Sequence, residues 1–140
     1  MWLGTQDGLN RYDGYRFAIY KYDPMDTHSL SDSYIISLFE DRAGVLWIGT
    51  YNGGLNKFDR EKENFIRYLH DPADINSLSN NYARAIFESP ANPGVLWIGT
   101  NGGLNKLEVD KKSFTHYRYD PGNPYGLSHN QVLAIFASPK

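Results

Sequence analysis

The 140 residues are 41% apolar and 15% aromatic, with 13 Gly and 7 Pro, a composition that supplies a β-rich core broken by frequent turns and excludes a disordered chain. The 14 Lys and Arg stand against 16 Asp and Glu for a net charge of −2, which argues against nucleic acid as a partner. There is no cysteine, hence no disulfide or thiolate chemistry, and no apolar run comes near the ~20 residues of a membrane-spanning helix.

The chain opens inside a repeat. Met1 is followed at once by Trp2-Leu3-Gly4-Thr5, which returns as Trp47-Ile48-Gly49-Thr50 and Trp97-Ile98-Gly99-Thr100, with tryptophans 45 and 50 residues apart. That period suits a four-stranded propeller blade. A Met placed against the repeat, with no charged-then-apolar leader, points to a chain cut from something longer.

Each Trp motif is followed by Gly-Leu-Asn (Gly8-Leu9-Asn10, Gly54-Leu55-Asn56, Gly103-Leu104-Asn105) and then by an aromatic strand entered at Phe17, Phe65 and Phe114. An Asp-Pro pair comes six residues after that Phe, at Asp23-Pro24, Asp71-Pro72 and Asp120-Pro121. A Leu-Ser follows at Leu30, Leu78 and Leu127, and a further Phe at Phe39, Phe87 and Phe136.

Four strands per unit are expected. Strand A covers about 34–40, 82–88 and 131–137, apolar enough for a buried inner strand, and strand B is the Trp segment. The glycines after it supply a tight hairpin into strand C, about 8–12, 54–59 and 103–108. The outer strand D covers about 16–20, 64–69 and 113–119.

The order is B-C-D, A-B-C-D, A-B-C-D and a lone A. We therefore expect an all-β fold, a permuted propeller fragment of about three antiparallel blades in one partial domain over 1–140. The repeats run about 1–33, 34–81 and 82–130, with a final strand at 131–137. Three blades are too few to circle a channel, so exposed edges and faces imply self-association or missing blades of a longer chain.

The pattern Leu-Trp-Ile-Gly-Thr, short turn, Gly-Leu-Asn-Lys-Phe-Asp, aromatic strand, Asp-Pro and Ser-Leu-Ser resembles the two-component regulator propeller repeat family, from Trp2 to Phe136. The resemblance implies a piece of the periplasmic sensor region of a bacterial hybrid two-component system of the Bacteroidetes kind, responding to oligosaccharides, with an immunoglobulin-like domain, membrane span and kinase elsewhere.

The tryptophans read as blade packing and the paired glycines as turns, because no helix or P-loop Lys-Ser/Thr follows them. The oxygens of Asp71-Pro72-Ala73-Asp74-Ile75-Asn76 could attract Ca²⁺, but they lack an acidic closing ligand and read as side-chain-capped turns. His28, His70, His116 and His129 lack metal-ligand spacing. No cofactor or catalytic residue is expected; a streptogramin-lyase-like propeller enzyme is the catalytic alternative, and a structural or protein-interaction module the other.

Comparison among the units isolates what a ligand could meet. The strand A starts, Asp32-Ser33-Tyr34, Asn80-Asn81-Tyr82 and His129-Asn130-Gln131, should share one face with the B-to-C turns. The candidate ligand-binding residues are Tyr51, Asn52, Asn80, Asn81, Tyr82, Arg84, Asn101, His129 and Gln131, with rings for sugar faces and amides for hydroxyls. Arg84 stands where the other units have Ile36 and Leu133, and needs a partner: a neighbouring carboxylate, or an acidic group on a ligand or protein.

Overall fold

The computed structural model describes residues 1–89, 92–108 and 113–117. Every regular element among them is a strand. The first sheet is β1 (Trp2–Thr5), β2 (Gly8–Tyr12) and β3 (Phe17–Tyr20); the second is β4 (Ile35–Glu40), β5 (Leu46–Thr50), β6 (Leu55–Asp59) and β7 (Asn64–Tyr68). The third is β8 (Ala83–Glu88), β9 (Val95–Thr100), β10 (Gly103–Glu108) and β11 (Ser113–Tyr117). All neighbours are antiparallel and adjacent in sequence, so these are β-propeller blades in the order B-C-D, A-B-C-D, A-B-C-D. The expected strand at 131–137 lies outside the described residues, as do Asp120, Leu127 and Phe136.

Two apolar layers hold the blades together. Leu9, Trp2 and Tyr20 of the first blade meet Ile35, Leu46, Ile48, Phe58 and Phe65 of the second. Trp47, Leu55 and Tyr68 of the second meet Ala83, Leu96, Ile98, Leu107 and Phe114 of the third. In the second and third blades strand B is the most buried, with Leu46 to Thr50 entirely inside, because a strand lies on either side of it. Strand A departs from expectation. Ile36, Ser37, Leu38 and Phe39 stay partly exposed, since an innermost strand has a partner strand on one edge only.

The invariant letters have separable jobs. Thr50 donates to the Gly54 carbonyl and accepts from Gly53 N, at 2.9 and 2.8 Å; Thr100 and Thr5 pin their hairpins likewise. Gly49 allows the third blade to come close, since a Cβ there would run into Ser37 Oγ and the Ala83 carbonyl oxygen. Asn56 accepts from Ser31 N (3.1 Å) and donates to Ser31 Oγ (2.7 Å), and Asn105 does the same to Ser79. The Leu-Asn of one strand thus clamps the Leu-Ser of the approaching loop.

Trp47 is fully buried and donates from its indole to Asp41 Oδ2 at 2.9 Å. A cation sits over each tryptophan from the neighbouring strand: Arg11 on Trp2, Lys57 on Trp47 and Lys106 on Trp97. The Asp-Pro loops are turns capped by their own side chains. Asp23 and Asp26 accept from Met25 N and His28 N, and Asp71 and Asp74 from Ala73 N and Asn76 N. Each loop then runs along the outer strand of the following blade, through Phe65 N to His28 O and Phe114 N to Asn76 O.

Candidate functional site

The starts of β4 and β8 and the turns after β5 and β9 open on one face. Each inner strand is entered through a side-chain-capped turn: Asp32 Oδ1 accepts from Tyr34 N at 3.1 Å, and Asn80 Oδ1 from Tyr82 N at 2.8 Å. This fixes where both tyrosines leave the backbone. The turn after β5 is drawn alongside by Tyr51 N donating to Tyr34 O (3.0 Å) and by Asn52 N donating to Asp32 Oδ2 (2.9 Å).

The result is a continuous row of side chains across three blades. Gln6 donates to the Tyr34 hydroxyl at 3.2 Å. Tyr34 stacks on Tyr51, with ring centres 5.1 Å apart and planes 25° apart. Tyr51 meets Tyr82 at 4.8 Å. The Arg84 guanidinium lies 4.2 Å from the centre of the Tyr82 ring, and its Nε donates to Asn101 Oδ1 at 2.6 Å. Tyr51 is 49% exposed; a tyrosine flanked by two rings yet half in solvent presents an apolar edge and a hydroxyl together.

Of the residues singled out in the sequence, Tyr51, Tyr82, Arg84 and Asn101 come together in this row. Asn52 lies at its margin, exposed, with its backbone held by Asp32. Asn80 and Asn81 turn their side-chain oxygens inward, to Tyr82 N and His70 N, so those oxygens organise the chain. His129 and Gln131 lie outside the described residues.

Two members of the row were missed, Gln6 and Tyr34. The signal was present: Gln6, Tyr51 and Asn101 each follow the hairpin threonine, and Tyr34 and Tyr82 each stand two residues after an Asx cap. The expected carboxylate for Arg84 is replaced by a neutral amide and a ring. Among the described residues His70 Nδ1 and His116 Nε2 lie against the backbone carbonyls of Leu78 and Ser77, and no three His, Asp or Glu side chains gather to hold a metal.

Residues 29–52, which include Tyr34, Tyr51 and Asn52, match the two component regulator propeller family. Thirty-one residues, 22% of the chain, are 52% identical to histidine kinase P4 of Formosa agariphila, of which they make up 2%. The extracellular domain of the hybrid two component system BT3049 of B. thetaiotaomicron superposes with a TM-score of 0.81 at 30% identity, over 93% of this chain and 18% of that one. The extracellular domain of BT4673 from the same organism superposes at 0.75 and 27% identity, over 96% and 19%. The chain therefore spans under a fifth of the structures it matches. With the repeat and the blade topology, these likenesses make the chain similar to two component regulator propellers, whose family model it matches over residues 29–52.

Proposed function

We propose that the chain forms part of the extracytoplasmic, periplasmic sensor of a two-component system, and that the row from Gln6 to Asn101 recognises an oligosaccharide without transforming it. The observation that carries the reading is Tyr51, half exposed, stacked on Tyr34 and in tilted contact with Tyr82. Nothing in blade packing requires three aromatic rings in contact at an open turn, and half-exposed tyrosines suit the C–H faces and hydroxyls of sugars. Support for the sensor role comes from neighbours that are extracellular domains of two component systems.

Calorimetric titration with a panel of tetrasaccharides tests the reading. Saturable binding should weaken at least tenfold in Tyr51→Ala and in Tyr82→Ala with the melting temperature little changed; a panel in which no saccharide saturates refutes it.

A second reading, of the chain as an interaction module, has its own observation. Leu3, Phe17 and Ile19 of the first blade are 58%, 72% and 61% exposed on one sheet face. They stand where Ile48, Phe65 and Arg67 of the second blade meet the first. On this reading the face is covered by another blade of the same repeat, supplied in solution by a second copy. Light scattering should then give a species above monomer mass that Phe17→Lys dissociates; a monodisperse monomer refutes it.

A further inference from the structure

We infer that the end of the row at Arg84 takes an anionic group, a carboxylate or sulfate on the bound saccharide, so that the face selects acidic over neutral oligosaccharides; this rests on the reading of the row as a saccharide site. Arg84 sits at a strand position that the preceding blade fills with Ile36, so blade packing has no need of a charge there. Its guanidinium is partly buried, laid on the Tyr82 ring, and held by a single hydrogen bond from Nε to Asn101 Oδ1.

Arginine carries five N–H donors in a rigid fork and cannot shed its charge. Among the described residues Arg84 has no carboxylate partner, and no hydrogen bond is made by either terminal nitrogen. The ring and the amide therefore fix the direction of the fork without neutralising it. That is the geometry a bidentate oxyanion needs, and charge-assisted pairs of this kind are about twice as strong as neutral hydrogen bonds.

The other charges around the row do not cancel this one. Asp32 spends both carboxylate oxygens on backbone N–H groups, of Tyr34 and Asn52, and Asp7 pairs with Lys21 at 3.1 Å. The hydroxyls of Tyr51 and Tyr82 make no hydrogen bond within the described residues, which leaves two further donors beside the guanidinium for the sugar that bears the anion.

The test uses two matched pairs of probes. One is a galacturonate tetrasaccharide and its methyl ester; the other is a sulfated tetrasaccharide and its desulfated form. At low salt the acidic member of at least one pair should bind about tenfold or more tighter than its neutral form, and the preference should shrink as salt is raised. The pair that shows the preference identifies carboxylate or sulfate as the group.

Arg84→Ile, which installs the preceding blade's own residue, should abolish the preference, so that the acidic and neutral members bind within about twofold of each other. Arg84→Lys should restore only part of it, because an ammonium lacks the fork. Equal binding of acidic and neutral members, or a preference that survives Arg84→Ile, overturns the inference while the saccharide reading stands. Failure of all four probes and of neutral tetrasaccharides counts against both. Melting curves of each variant separate lost folding from lost binding.

Discussion

The first and second blades carry nearly the same letters in different surroundings. Phe17 is 72% exposed and Phe65 is 2% exposed; Tyr12 is 38% exposed and Phe58 is 3% exposed. Both pairs occupy equivalent cross-strand positions, Tyr12 with Phe17 and Phe58 with Phe65. Among the described residues the second blade has a sheet on either face, whereas the first has one on a single face. Burial in this architecture is conferred by the neighbour, and a blade's sequence states only which faces are ready to receive one.

Paired substitutions sharpen that comparison. The largest effect is expected at the tryptophans. Trp47→Ala removes a fully buried ring and strands the Asp41 oxygen it meets, and should cost ~3–5 kcal/mol in urea denaturation. Trp2→Ala, at the half-buried equivalent, should cost about 1–2 kcal/mol, since less of its area leaves water. Equal losses would show that both blades are equally covered in solution.

Next come the asparagines. Asn56→Ala leaves Ser31 N and Ser31 Oγ without their partner and should cost about 1–3 kcal/mol. Asn10 is its counterpart in the first blade, and its side chain makes no hydrogen bond within the described residues. Asn10→Ala should stay within about 0.5 kcal/mol of the parent. A large loss at Asn10 would reveal a clamp supplied by another blade.

The smallest effect is electrostatic. The backbone N–H groups of Tyr15 and then Arg16 hold the Asp13 carboxyl below its ordinary 3.8 in the turn between β2 and β3. A depressed folded value stabilises the turn above pH 3.8 and is lost as pH falls through that lower value. Protection of the Tyr15 and Arg16 amides, measured against their intrinsic exchange rates, should fall as pH drops across that acid window in the parent, and Asp13→Asn should lose the pH dependence of this contribution.

Strand content and blade order were legible in the sequence because the repeat places turn residues and aromatics at fixed offsets, and strand ends differ from expectation by a residue or so. Strand A was read as more buried than it is, because an apolar run does not reveal how many of its sides are covered. Four of the six side chains in the hub-face row were legible too. Tyr51, Tyr82, Arg84 and Asn101 were singled out from the strand A starts and the turns, while Tyr34, though placed on the same face, was not chosen as a ligand contact and Gln6 looked like an ordinary turn residue. The amide partner of Arg84 could not be read, since Asn101 reaches it from the hairpin after the next strand, whereas the Tyr82 ring stands two residues earlier, at the entry to the same strand.

The threonine that pins each hairpin has a bearing on how such surfaces diversify. By holding the glycine carbonyl and a turn N–H itself, it relieves the next residue of any part in shaping the bend. That residue is Gln6, Tyr51 or Asn101 in the three units, a phenol and two carboxamides of different reach on one unchanged mount. An array built this way can exchange its reading heads one at a time while the frame beneath them keeps its form.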